Sequence, residues 1–383
     1  MNIVVNTQLL LYGRLDGIGW FTWETISRIT AAHPEHTFYL VFDRKPAPEL
    51  QFSPNVKTVI LSPMSRHPFL WFLRFEILLP VLLKRLKADL FLSPDGWMTT
   101  SSKVPCVQVI HDLNFVHFPK DIPFWTRNYY NFFFPRYARK AKRIATVSQY
   151  SKEDIVKTFG VTPEKVVVMH NGCNTSYKPL GEQTDKQTRT EFSEGNPYFI
   201  YVGALIPRKN IARMFEAFDL FKKNDTQNTK FVIVGQKKWW TDQINASYEK
   251  MQFKEDVLFL GRRNVQDLNR LYSAAIALVF PAIFEGFGIP ILEAFHAETA
   301  VITSNVSSMP EVAGDAAILV DPASVDSIAS AMTRLSKDEN LVKELIEKGR
   351  KRRSVFSWDH TAAKLWQTIE DTLAETYTEQ KRE

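Results

Sequence analysis

The sequence predicts an α/β protein built from two doubly wound parallel-sheet domains. Three observations carry that expectation. Short apolar runs alternate with stretches of helical periodicity along almost the whole chain, the pattern of parallel strands covered on both faces by helices. The chain has 383 residues, 45% hydrophobic and 13% aromatic, which is long for one core and ample for two. The alternation lapses once, between residues 175 and 196, where Tyr177-Lys178-Pro179-Leu180-Gly181 opens a polar, turn-rich stretch. Domains are therefore expected at 1–178 and 197–358, with a linker at 179–196 and a last helical segment at 359–383. Two such domains leave a cleft between them, a common place for a ligand.

In chain order, residues 3–5 (Ile-Val-Val) read as a short buried strand, followed by the loop Gly13-Arg14-Leu15-Asp16-Gly17-Ile18-Gly19 and a helical pattern over 20–29. The loop has a Gly-x-Gly core without a full dinucleotide fingerprint, so a nicotinamide-dependent oxidoreductase is not supported. Strands follow at 37–42 and 56–61. Residues 68–92 are unusually apolar, interrupted by Arg74, Glu76, Lys84, Arg85 and Lys87. The uncharged runs fall well short of the ~20 residues of a membrane span. They read as core helices of the first domain or, alternatively, as a face that touches a membrane or a lipid-linked substrate. The Phe and Tyr cluster from Phe124 to Tyr137, with Arg127, Arg136, Arg139 and Lys140, has the same two readings. Residues 104–110 form another strand, with His111-Asp112 at its carboxyl end. Ligands of open α/β sheets bind at such ends, although a histidine there can also merely cap the strand. Further strands lie at 144–148 and 165–169, the former followed by a helix over 152–159 capped by Ser148 or Ser151.

The second alternation begins at residue 198. Strands are expected at 199–203, 231–235, 257–260, 277–280, 300–303 and 317–320, with helices at 211–221, 265–273 and from 325. Two loops stand out. After the first of these strands comes Gly203-Ala204-Leu205-Ile206-Pro207-Arg208-Lys209-Asn210. Adjacent cations on a strand-to-helix loop suit a diphosphate, Arg as a planar fork and Lys as a point charge, although an isolated pair is usually just solvated. The strand ending at Phe280 leads into Pro281-Ala282-Ile283-Phe284-Glu285-Gly286-Phe287-Gly288-Ile289-Pro290-Ile291-Leu292-Glu293-Ala294. Proline at a helix start and a glycine turn before it present backbone N–H groups and a positive helix end, which favour an anion. Glu285 and Glu293 bracket that turn. An anion site does not need two acids, but hydroxyls do, so the pair fits a ligand carrying both phosphate and sugar. Surface glutamates on a plain turn are the alternative.

Composition narrows the classes. The net charge of +6 is spread along the chain, so nucleic-acid binding is not indicated; an anionic substrate or an anionic membrane surface remains. The two cysteines, Cys106 and Cys173, lack metal or disulfide spacing. The chain opens directly into a strand pattern rather than a secretory signal, so a cytoplasmic location, at most at the inner face of the membrane, is expected.

Phe284 to Ala294 resembles the E-x7-E signature of GT-B glycosyltransferases, specifically the large retaining family 4, and Gly203 with Arg208-Lys209-Asn210 resembles that family's diphosphate loop. The Gly17-Ile18-Gly19 loop, His111-Asp112, Thr146-Val147-Ser148, Asn171-Gly172 and Gly261-Arg262 fall in the family's order, so the resemblance covers nearly the whole chain. It implies two Rossmann-like domains, an acceptor-side one first and a nucleotide-sugar-binding one second, with the last helix packing back on the first. Lys209, helped by Arg208, would neutralise the donor diphosphate. Glu293 would accept from the ribose hydroxyls. Glu285, with the backbone N–H groups of Phe287 and Gly288, would hold the donor sugar, and His111 would contact the transferred sugar. Gly17 and Gly19 would let the first loop approach the diphosphate. Two departures stand out: Asp16-Gly17 replaces a common Gly-Gly pair, and Ala204 stands where many members carry their clamp arginine. The resemblance further implies retention at the anomeric carbon, no metal and no cofactor beyond the donor itself. The partners would be a nucleotide sugar, with GDP-mannose preferred and a UDP-sugar otherwise, and a glycan or lipid-linked acceptor of surface-polysaccharide assembly. Peripheral membrane contact is an expectation of the apolar 68–92 segment. A two-domain sugar- or nucleotide-binding protein without catalysis is the other reading.

Overall fold

The computed structural model describes residues 1–13, 15–64, 67–237 and 240–381. Arg14 of the expected first loop and residues 382–383 of the expected last segment lie outside the described residues. The chain divides into two compact units, Met1–Asn171 with Ser357–Glu383, and Gly172–Phe356.

The first unit is a seven-stranded parallel sheet. Its strands are β1 (Asn2–Asn6), β2 (Thr37–Phe42), β3 (Val56–Ile60), β4 (Leu90–Ser93), β5 (Cys106–Val109), β6 (Arg143–Thr146) and β7 (Val166–Val168), in the order β3-β2-β1-β4-β5-β6-β7. Ile3, Val4 and Val5 are wholly buried, with β1 hydrogen-bonded between β2 and β4 in the middle of the sheet. The 68–92 stretch is a helix at Pro68–Phe72, a π-helical turn at Leu73–Leu78 and a helix at Leu79–Arg85. Trp71, Phe75, Leu79, Leu82 and Leu83 face the core. The polar residue inside it, Glu76, accepts from the backbone N–H and hydroxyl of Thr100, from Ser101 and from Tyr137, so its burial is satisfied. The stretch does not stay helical to residue 92. Lys87 takes a left-handed φ of +49° and β4 follows. An apolar run of helix plus buried strand carries no change of polarity, so hydrophobicity alone hides that break.

The helix Trp358–Gln380 belongs to this first unit. Its buried positions, Trp358, Ala362, Leu365, Trp366, Ile369 and Leu373, recur at helical spacing. Trp366 stacks on His33 at 3.8 Å between ring centroids, and Arg28 Nε donates to Asp359 at 2.6 Å.

The second unit is a six-stranded parallel sheet of β8 (Tyr198–Val202), β9 (Lys230–Val234), β10 (Val257–Gly261), β11 (Ala277–Phe280), β12 (Ala300–Ser304) and β13 (Ile318–Val320), ordered β10-β9-β8-β11-β12-β13. Residues 179–196 are not a free linker. They contain the helix Glu182–Ser193, held to this unit by polar contacts. Arg189 Nε donates to Ala274 O at 2.9 Å, and Ser273 donates to Asp185 at 2.7 Å. A helix attached through hydrogen bonds shows little apolar periodicity, which is why the stretch reads as turn and linker. In this sheet the strand order reverses between β8 and β11. The loops that follow those two strands therefore rise side by side at the carboxyl edge, the place where open α/β sheets take ligands.

Candidate active site

The β8 loop is shaped by glycine. Gly235, after β9, has φ +157°, and a Cβ there would lie 1.8 Å from Gly203 O. Only glycine lets these two strand ends approach. The chain then forms a turn at Pro207–Lys209, closed by Asn210 in the left-handed region at φ +69°. Asn210 is buried, and its amide donates to Pro281 O at 3.0 Å and to Pro322 O at 2.7 Å. Ile283 N donates to Arg208 O at 2.9 Å. The cation loop is thus tied to the β11 loop by one backbone bond and the Asn210 amide, before any side-chain charge is considered.

The charges meet at Glu285. Arg208 Nη1 donates to Phe284 O at 3.0 Å and to Glu285 Oε1 at 3.1 Å, and Lys209 Nζ pairs with the same oxygen. Lys209 also lies 5.0 Å from the centre of the Phe280 ring. All three side chains are less than 15% exposed, so the pairing is little screened. The sequence placed one cation pair and one acid in separate roles; the fold makes them one cluster, in which both cations pair with Glu285.

The Glu285 loop is itself braced. Ser307 accepts from Glu285 N at 3.0 Å and donates back to Glu285 O, while Ser308 donates to Glu285 O and Phe287 O, both at 2.9 Å. These serines follow β12, and nothing in their sequence context marks them; only the neighbouring of β11 and β12 makes them partners. Phe287 is buried edge-on against Phe356, at 5.6 Å and 80°. Gly288 caps the helix Ile289–His296 with φ +102°, followed by Pro290 in the first turn. One turn in, Glu293 Oε2 accepts from Tyr272 OH at 2.8 Å, and the Tyr177 ring stands edge-on to Tyr272 at 5.8 Å. Burial raises the Glu293 pKa above the ordinary carboxylate value and the two phenols oppose that rise. Neither tyrosine was legible as part of the site, since each also reads as core.

The first unit carries the other expected residues. Asp16 caps the helix Gly17–Ala32 by accepting from Gly19 N at 3.0 Å. Gly17 is exposed at the helix start, whereas Gly19 is buried, and a Cβ on it would lie 3.0 Å from Leu15. His111 follows β5. Its Nε2 is 2.9 Å from Pro94 O, and its ring stands edge-on to Phe21 at 5.0 Å. Burial lowers its pKa, so the ring is neutral near pH 7. A carbonyl only accepts, so Nε2 holds the proton and Nδ1 is the acceptor nitrogen. Beyond Pro94, Asp95 is buried, accepts from the Asn6 amide at 2.8 Å and has its pKa pushed up to about 6 by desolvation.

Cys106 is a buried free thiol, and Cys173 is buried. Among the described residues, no group of three or more His, Cys, Asp or Glu is placed to hold a metal ion, and no helix is long and apolar enough to cross a membrane.

Two parallel-sheet α/β units, the second with an Arg-Lys-Glu cluster before a helix start, are the setting in which the comparisons with known proteins fall. Residues 15–177 match the family model for Glycosyltransferase Family 4 and residues 182–352 that for Glycosyl transferases group 1. The chain belongs to that glycosyltransferase family. It is 27% identical over 374 residues to the O-antigen chain mannosyltransferase B of Escherichia coli, covering 94% of this chain and 97% of the relative. Among solved structures, sucrose-phosphate synthase from Thermosynechococcus elongatus superposes with a TM-score of 0.77 at 18% identity, over 98% of this chain and 99% of that one. Anabaena HepE in complex with UDP-glucose superposes with a TM-score of 0.73 at 16% identity, over 97% and 100%.

Proposed function

We propose that this glycosyltransferase moves a hexose, mannose from GDP-mannose in the first place and otherwise a sugar from a UDP donor, to a glycan or lipid-linked acceptor in cell-surface polysaccharide synthesis, with retention at the anomeric carbon and without a metal. The observation that carries the reading is the convergence of Arg208 and Lys209 on Glu285 at the start of the helix Ile289–His296. When the bond from the anomeric carbon to the diphosphate breaks, charge develops on the departing phosphate. Preorganised cations and a helix N-terminus stabilise that charge without reorganising. Glu285 is assigned to the donor sugar's hydroxyls, Glu293 to the ribose, Phe287 and Gly288 to sugar contact through their N–H groups, and Gly203 to close approach of the diphosphate. Gly17, Gly19 and His111 are the first unit's contributions, His111 as a neutral hydrogen-bonding group at the transferred sugar. The similarity to an O-antigen chain mannosyltransferase supports mannose and the polysaccharide context, and the HepE complex supports a nucleotide-sugar donor.

The test is calorimetric titration with GDP and UDP, followed by transfer assays with GDP-mannose and UDP-hexoses. Binding of a nucleoside diphosphate and transfer with net retention are expected. Binding without transfer or hydrolysis for any donor would favour a sugar- or nucleotide-binding protein, and no binding of either nucleotide would sink the donor-site assignment.

Peripheral contact with an anionic membrane belongs to the same reading. Phe69, Phe72, Ile77 and Val81 on one helical stretch and Phe124, Trp125 and Phe132 on the helix Phe124–Lys140 are exposed large apolar side chains. Phe72 reaches Phe132 through Phe133, by ring contacts of 6.2 and 4.9 Å, and the Arg136 guanidinium lies 3.6 Å over Phe132. Aromatic and cationic groups interleaved on one face suit the headgroup layer.

A further inference from the structure

Glu293 is a largely enclosed carboxylate, and among the described residues no cation is one of the groups that influence it. A buried acid kept for stability is ordinarily paired with Lys or Arg. Here the groups facing it are two phenols, Tyr272 from the helix Val265–Ser273 and Tyr177 from the segment before the helix Glu182–Ser193, with the Cys173 thiol bordering both phenols. Tyr272 is wholly buried and Tyr177 is 5% exposed; their rings meet edge-on at 5.8 Å and 77°. Thr299 Oγ1 donates to Tyr272 O at 2.7 Å, so the phenol is fixed from its own backbone outward. Burial keeps both phenols protonated, hence donors. An ionised carboxylate offers about four acceptor positions. The Tyr272 O–H fills one of them, with the Tyr177 phenol beside it. Glu293 retains some exposed surface, and its open positions match the paired O–H donors of a vicinal diol.

We infer that Tyr272 and Tyr177 are positioning residues that hold the Glu293 carboxylate as a double acceptor for the two ribose hydroxyls of the donor, and so set the enzyme's preference for a ribonucleotide over its deoxy counterpart. The inference rests on the donor-site reading above. It gives the tyrosines a task that a merely structural role lacks, because removing one O–H leaves the fold's packing almost unchanged and the carboxylate less constrained.

The experiment is binding of GDP and 2′-deoxy-GDP, or UDP and 2′-deoxy-UDP, to the unmodified chain and to Tyr272→Phe and Tyr177→Phe, each as a function of pH. Each variant should bind the ribonucleotide several-fold more weakly, because a less constrained carboxylate has to be ordered when the ligand binds. Affinity for the deoxynucleotide should fall less, so discrimination narrows. Binding weakens as pH falls through the Glu293 pKa. A variant missing one donor is protonated more easily, so its acid limb should move to higher pH. An unchanged ribose preference together with an unmoved acid limb in both variants overturns the inference while leaving the donor site intact. Absence of nucleotide binding by the unmodified chain removes the donor-site reading and this inference with it. Should Tyr272→Phe fail to fold, Tyr177→Phe reads the same outcomes.

Discussion

At the scale of the residue, the consequential finding is that Glu285 pairs with Arg208 and Lys209 together, which leaves the cluster one positive charge in excess. Lys209→Ala is expected to lower kcat/KM by roughly 100-fold or more, the usual effect of deleting one preorganised stabilising group, while far-ultraviolet circular dichroism stays that of the unmodified chain. Initial-rate kinetics with the identified donor check it; near-normal turnover would refute the clamp. Asp95 gives a second prediction, on stability. Its folded pKa of about 6 lies above the ordinary 3.8. Between those values the folded state binds more protons than the unfolded one, so this group lowers stability as pH rises through that window and then levels off. Asp95→Asn removes the slope. Relative to the unmodified chain, the variant should gain up to about 3 kcal/mol from pH 4 to pH 7, at 1.4 kcal/mol per pKa unit, seen in denaturant melts at both pH values. Glu285, Glu293, Arg208 and Lys209 stood out as candidates by residue type and spacing, and the family resemblance supplied their expected roles. Ser307, Ser308, Tyr177 and Tyr272 were not, because a hydroxyl that braces a loop looks in sequence like any other hydroxyl.

At the scale of the element, glycine and proline punctuation did most of the visible work. Gly235→Ala should disrupt the β8 and β9 loops, since its Cβ would collide with Gly203 O. A cost of several kcal/mol is expected, above the ordinary 0.5–3 kcal/mol range for point changes, measured by thermal unfolding. The exposed face of the helix Phe124–Lys140 carries the membrane prediction. Trp125→Ser with Phe132→Ser should cut sedimentation with anionic phospholipid vesicles at least about fivefold, following the loss of two buried aromatic side chains. Transfer to a soluble acceptor should be unaffected. Equal sedimentation of both proteins would sink the membrane face. Strand β4 and the helix Glu182–Ser193 escaped sequence reading for opposite reasons. One lies inside an apolar run with no contrast, and the other attaches through polar contacts with no apolar stripe.

At the scale of the whole molecule, the chain builds two units, and the first recruits its last helix from the far end of the sequence. Trp358, Leu365, Trp366 and Ile369 cover that unit. A chain ending at residue 356 should keep Gly172–Phe356 folded but leave the first unit with an uncovered apolar surface. Limited proteolysis should then cleave within residues 1–171 while sparing the second unit. Uniform resistance would contradict the helix's structural role.

By itself the sequence determined the α/β class, the two-fold repetition of strand and helix, and the chemical kinds present at the site, because these follow from local periodicity, turn residues and charge. The tertiary structure alone decided which groups act together. Strand order brings the loops after β8 and β11 side by side, seats Ser307 and Ser308 under Glu285, and closes two tyrosines from distant segments around Glu293. Such pairings depend on which strand ends become neighbours, and no local pattern along the chain encodes that.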